Sequence, residues 1–201
     1  MTSLIEVAVD RPTYLISIGG VMASRGPVLL RTTLGSCIAV CLFDSTTGIG
    51  GMNHFMLPGA GRSADEGDHL SLSTRYGIHA MELLINECMK MGAYRQSFTA
   101  KVFGGGHVLS TDEGSDSIPT RNIQFVEAFL AAERIPIAAS NVGGRDVRSV
   151  YFVTDTGQTF LKRTRIDYSP RKRRALQAAE SEYRRRAYEQ TLGDDERVTL
   201  F

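Results

Sequence analysis

Cys37, in the run Leu34-Gly35-Ser36-Cys37, and His54, in Met52-Asn53-His54-Phe55-Met56-Leu57-Pro58, are the residue types a covalent hydrolase needs. A thiol is a weak nucleophile until its proton leaves, and a neighbouring imidazole that holds the proton gives a thiolate at neutral pH. Such a pair attacks a carbonyl carbon. The oxyanion that forms needs donors, and Gly35 lets the backbone N–H groups around Cys37 approach closely. Thr32 and Thr33 are both candidates for the group that orients the imidazole or the substrate, because a hydroxyl donates and accepts. Cysteine is among the most buried residue types, so composition alone makes Cys37 a core residue as readily as a nucleophile.

Strands must bring these residues together. Residues 37–43 offer two alternating sets, Cys37/Ala39/Cys41/Phe43 and Ile38/Val40/Leu42, both apolar, which predicts a central strand covered on both faces. Residues 49–57 predict its neighbour, with Met52, His54 and Met56 on one side. In an extended segment Cys41 lies about 13 Å from Cys37, too far for a disulfide, and Cys41 and Cys88 are assigned to the core. Shorter strands are expected at residues 14–18 and 28–30, and a polar loop at 59–68. The stripe Ala80, Leu84, Cys88 and Met91 predicts a helix over residues 72–91 that stops at Gly92. A strand over 98–103 runs into Gly104-Gly105-Gly106-His107. A second helix begins after Pro119-Thr120 and ends near Arg134, leading to a strand over 135–139. Strands over 149–154 and 159–162 flank the turn Asp155-Thr156-Gly157. The sum is a mixed sheet with two helices and a tail.

With 201 residues, 42% hydrophobic and 22% charged, the chain is one α/β domain plus an appendage, and disordered, collagen-like and disulfide-scaffold classes are excluded. Three cysteines without a CxxC pair, and no amino-terminal apolar run of signal type, predict a cytoplasmic protein. No stretch approaches the roughly 18 apolar residues of a membrane span, so no membrane insertion is expected. The net charge of +1 hides a basic tail, with Arg171, Lys172, Arg173 and Arg174 in one cluster and Arg184, Arg185 and Arg186 in another. Without a consistent apolar face, this tail predicts a solvated helix or partly disordered arm. Its few tyrosines give no support for base stacking, and nucleic acid is not expected as a partner. Gly104-Gly105-Gly106 lacks the following Lys-Ser/Thr of a phosphate loop, which leaves a close backbone approach beside the site or a plain turn. His54, His69, His79 and His107 show no metal-ligand spacing, and neither metal nor cofactor is expected.

The runs Leu34-Gly35-Ser36-Cys37-Ile38-Ala39-Val40 and Met52 through Pro58 resemble the CheD family of chemoreceptor glutamine deamidases. Lys101-Val102-Phe103-Gly104-Gly105-Gly106, Arg121-Asn122-Ile123 and Asn141-Val142-Gly143-Gly144 follow in that family's order, so the resemblance extends over about residues 14–162. It implies hydrolysis of glutamine side chains to glutamate on methyl-accepting chemotaxis receptors, through a cysteine thioester and with release of ammonia. Cys37 matches the nucleophile and His54 the histidine. The family's threonine is assigned to Thr32, with Thr33 adjacent and Arg31 where some members place it. The implied fold is a single layered α/β domain with a mixed β-sheet or sandwich core and peripheral helices, similar to CheD and to the deamidase domain of cytotoxic necrotizing factor toxins.

A helical receptor substrate implies a shallow groove, with Gly35, Ser36, Phe55, Phe103, Gly104 and Gly105 as substrate-binding residues and the loop over 59–68 at its edge. The domain expectation is an arm over residues 1–13, a deamidase domain over 14–164 and a basic tail over 165–201 that contacts an acidic receptor or membrane surface. The alternative is a non-catalytic adaptor that binds receptors and a CheC-like phosphatase. An adaptor has no need of an intact Cys37/His54 pair.

Overall fold

The structure, a computed structural model, describes residues 11–58, 66–108 and 117–165, with residues 174, 178, 180–183, 185, 186 and 189 beyond them; for 66–72 it gives the backbone alone. In chain order the elements are β1 (Thr13–Leu15), β2 (Val21–Ser24), β3 (Leu29–Leu34), β4 (Ile38–Asp44), β5 (Ile49–Asn53), α1 (Glu66–Lys90), β6 (Phe98–Gly104), α2 (Ile118–Ala132), β7 (Ile137–Val142), β8 (Val147–Val153) and β9 (Thr159–Thr164).

The strands form two sheets, the sandwich alternative of the expected fold and not the single mixed sheet. The first has order β1-β3-β8-β9, with β1 parallel to β3 and the other pairs antiparallel. The second has order β2-β5-β4-β6-β7, with β6 parallel to β7 and the rest antiparallel. Alternation along β4 shows how the layers stack. Ile38, Val40 and Leu42 pack with Met81, Leu84, Ile85 and Cys88 of α1 and with Val126 and Leu130 of α2. Ala39 and Cys41 instead join Leu30 and Leu34 of β3 and Val150 and Phe152 of β8. The five-stranded sheet is thus covered by helices on one face and by the four-stranded sheet on the other, which is why both faces of β4 read as apolar.

Several boundaries differ from the sequence expectation for identifiable reasons. β3 continues through Leu34 because Leu30, Thr32 and Leu34 turn inward while Arg31 and Thr33 face out, an alternation broken in composition by one buried threonine. β2 was not expected; its four residues are too few for a clear period. α1 is already helical at Glu66, so of the polar segment 59–68 only 66–68 is described, and as helix; 59–65 lie outside the described residues. α2 opens with Pro119 in its first turn and closes with Arg134 in the left-handed region at φ 57°.

Candidate functional site

Between β3 and β4 the chain crosses from one sheet to the other through Gly35-Ser36-Cys37. A single antiparallel bridge then locks Cys37's neighbour: Ile38 N–H donates to the Phe55 carbonyl and Phe55 N–H to the Ile38 carbonyl, both at 2.9 Å. This register sets Cys37 opposite Met56, and its Sγ lies 3.9 Å from the Met56 Sδ. By the period of two, His54 shares that face as the diagonal neighbour of Cys37. The nucleophile candidate and the imidazole therefore stand at the same end of adjacent strands.

Thr32 reaches the same place from the facing sheet. Its Oγ1 donates to the Ile16 carbonyl at 2.7 Å and lies 2.8 Å from His54 Nδ1, which is itself 3.3 Å from that carbonyl. The single hydroxyl proton is committed to Ile16, and a carbonyl only accepts, so Nδ1 must be the protonated nitrogen. Nε2 then keeps a lone pair. Among the described residues it is buried without a hydrogen-bond partner. The backbone of His54 is fixed as well, its N–H on Gly20 O at 3.0 Å and its carbonyl taking Gly19 N–H at 2.7 Å. Thr33 is exposed on the opposite face, paired with Ser149.

Burial dominates the electrostatics. It pushes the Cys37 thiol far up, with the charge of Glu180 adding to the rise and the residue's own backbone N–H, bonded to the sulfur, opposing it. Burial likewise lowers His54 from 6.5 to about 4, against a small upward pull from Ile16. In this state the pair rests as a neutral thiol and a neutral imidazole.

The other expected substrate-binding residues divide. Ser36 is at the site: its hydroxyl donates to Glu180 Oε1 and lies 3.9 Å from the Met56 sulfur. Gly104 and Gly105 hold the backbone of Cys37. Gly105 N–H donates to Cys37 O at 2.7 Å, and a Cβ on Gly104, at φ 114°, would stand 2.1 Å from that same oxygen. Gly106 N–H binds Gly35 O at 2.8 Å, and a Cβ on Gly35 would come within 2.8 Å of Val108, so Gly35 belongs to the same close backbone packing. Phe55 is 1% exposed and packs edge-on against Phe125 in the helix-side core, because it alternates with His54 and Met56. Phe103 is 5% exposed within the cluster that holds Cys37. Neither phenylalanine presents the open groove wall expected of it.

Asn122 of α2 received no role from the sequence, although it lies in the Arg121-Asn122-Ile123 run. Fully buried, it donates from Nδ2 to Ser36 O at 2.9 Å and accepts Leu57 N–H on Oδ1 at 2.9 Å. One amide thereby ties the chain just before Cys37 to the chain just after Met56. The tail, expected as a solvated helix or arm, also reaches the site. Tyr183 is partly buried against the Cys37 cluster, its hydroxyl bonded to that of Tyr76. A cavity of about 360 Å³ beside His54 is lined by Gly20, Tyr76, His79, Tyr183 and Arg186 among others.

Among the described residues no three His, Cys, Asp or Glu side chains cluster as a metal site, and no helix is long and apolar enough to cross a membrane. The family model for CheD chemotactic sensory transduction matches residues 56–163, a span that begins just past His54. A protein described as probable chemoreceptor glutamine deamidase CheD from Thiobacillus denitrificans is 48% identical over 154 residues, 77% of this chain and 75% of its own length. Proteins of the same description from Paraburkholderia xenovorans and a Caulobacter species are 50% identical over 139 residues and 46% over 143. These matches cover 69% and 71% of this chain, against 54% and 72% of the relatives, so the chain spans about half the Paraburkholderia protein. With a family model over more than half its length and relatives at this identity, the chain belongs to the CheD family.

Proposed function

We propose that the chain is a chemoreceptor glutamine deamidase in which Cys37 is the nucleophile, His54 the proton carrier and Thr32 the residue that sets the imidazole tautomer. The observation that carries this reading is the His54 ring, anchored through Nδ1 on Thr32, with an Nε2 that is buried and has no hydrogen-bond partner among the described residues. Nε2 takes the thiol proton as Sγ attacks the glutamine carboxamide carbon. The Cys37 N–H, already bonded to the sulfur, lies beside the oxyanion that develops. The imidazolium then protonates the departing nitrogen, ammonia leaves, and a thioester remains on Cys37. Neutral His54 activates water, which releases glutamate and restores the thiol. Glutamine and water become glutamate and ammonia, with no cofactor consumed.

The names of the relatives support a glutamine on a chemoreceptor as the substrate. A cytoplasmic location and a CheC-like phosphatase as second partner belong to the same proposal, as does kinship of the layered fold with the toxin deamidases. The test is peptide mass spectrometry of a receptor cytoplasmic fragment incubated with wild type and with Cys37→Ala. Conversion of glutamine to glutamate by wild type alone is expected. Conversion that survives the substitution would refute the mechanism, and no conversion by either protein favours the adaptor.

A further inference from the structure

Three side chains of the C-terminal segment lie beside the Cys37 and His54 region. Glu180 accepts the hydroxyl of Ser36, the residue next to Cys37. Tyr183 bonds Tyr76 and lies over Gly19, whose N–H holds the His54 carbonyl. Arg186 lines the cavity beside His54 together with both tyrosines. Residues 180–183, 185 and 186 are helical, so positions 180 and 183 share a face. On the same helix Glu182 pairs with Arg185 and Arg186, and Arg185 with Glu189, all with exposed side chains. The group delivered to Ser36 is a carboxylate, the same group that glutamine hydrolysis leaves behind. Its charge adds to the forces that keep Cys37 protonated.

We propose that the segment around Glu180 and Tyr183 is an internal product analogue that occupies the Cys37/His54 site and competes with a substrate helix. The Glu180 carboxylate stands in the glutamyl position, and Tyr76 receives the residue three places further along the helix. The identity of the displaced substrate rests on the deamidase reading; the occupancy of the site does not. Tyr76 becomes a substrate-binding residue, and the enzyme is held back until a receptor helix displaces its own.

The test alkylates full-length wild type, Glu180→Ala and Tyr183→Ala with iodoacetamide at neutral pH, maps Cys37, Cys41 and Cys88 by peptide, and follows glutamine conversion in a receptor fragment. Glu180→Ala uncovers Cys37 and removes a like charge beside it, so Cys37 is expected to react several-fold faster than in wild type. Cys41 and Cys88 stay unreactive, and turnover rises in both variants. Equal Cys37 rates overturn the proposal, as does a parallel rise at all three cysteines, which marks a loosened fold. Faster Cys37 alkylation with no glutamine converted by any variant supports the occupancy and sinks the deamidase reading. Glutamine conversion at one rate by all three proteins supports the deamidase reading and sinks the competition.

Discussion

At 6% relative exposure the His54 ring has lost most of its hydration, and its pKa falls from 6.5 to about 4. The unfolded chain takes up a proton near pH 6.5 that the folded chain refuses until about pH 4. Stability from this group is therefore intact above pH 6.5 and declines as pH drops through that window, by about 3 kcal/mol at its foot. Urea unfolding of wild type and His54→Gln at about pH 7 and about pH 4 should show the larger acid loss in wild type. Thr32→Val keeps the shape and removes the hydroxyl that fixes the tautomer, so kcat is expected to fall about a hundredfold. Thr33→Val, on the exposed face, is expected to stay within about 0.5 kcal/mol of wild type in stability, with turnover unchanged. Which of these threonines turns inward was legible in Leu30-Arg31-Thr32-Thr33-Leu34, where period two puts Thr32 with the leucines. The same alternation sets Phe55 on the face opposite His54, a signal that its assignment to the substrate groove overlooked. Asn122 gave no such signal, because a buried amide has the same composition as a surface one.

At the scale of elements, the site depends on how α2 and the end of β6 hold the crossing between sheets. Asn122→Ala would leave the Ser36 carbonyl and Leu57 N–H without their partner, at a cost of about 1–3 kcal/mol for each buried group that finds no water. A lower denaturation midpoint is expected together with a kcat loss larger than any change in KM, since the displaced atoms flank Cys37. Phe55→Ala should act through stability instead, by about 3–5 kcal/mol for an aromatic core truncation, read in urea unfolding. The strands around Cys37 and His54 were legible because each lies in a local apolar run. The division into two sheets was not, because it depends on pairings distant in sequence, β3 with β8 and β1 with β3. No local pattern encodes which sheet a short strand joins.

At the scale of the whole molecule, the C-terminal segment meets the site across more than a hundred residues of sequence. Its charged composition suggested a solvated arm, and the ion pairs of Glu182, Arg185, Arg186 and Glu189 match that part of the reading. Glu180 and Tyr183 differ only in where their helical face points. In Glu180→Gln a carboxamide stands beside Ser36 in place of the carboxylate, and a product analogue of a working deamidase becomes its substrate. Position 180 should then read as Glu by peptide mass spectrometry, and remain Gln when Cys37→Ala is combined with it. Thr32 belongs to one sheet and His54 to the end of the other, so their 2.8 Å contact is a rivet through the sandwich. On the proposed mechanism, competence of the base is then a gauge of sheet alignment, and a slip between the two layers would disarm the imidazole before any strand is lost.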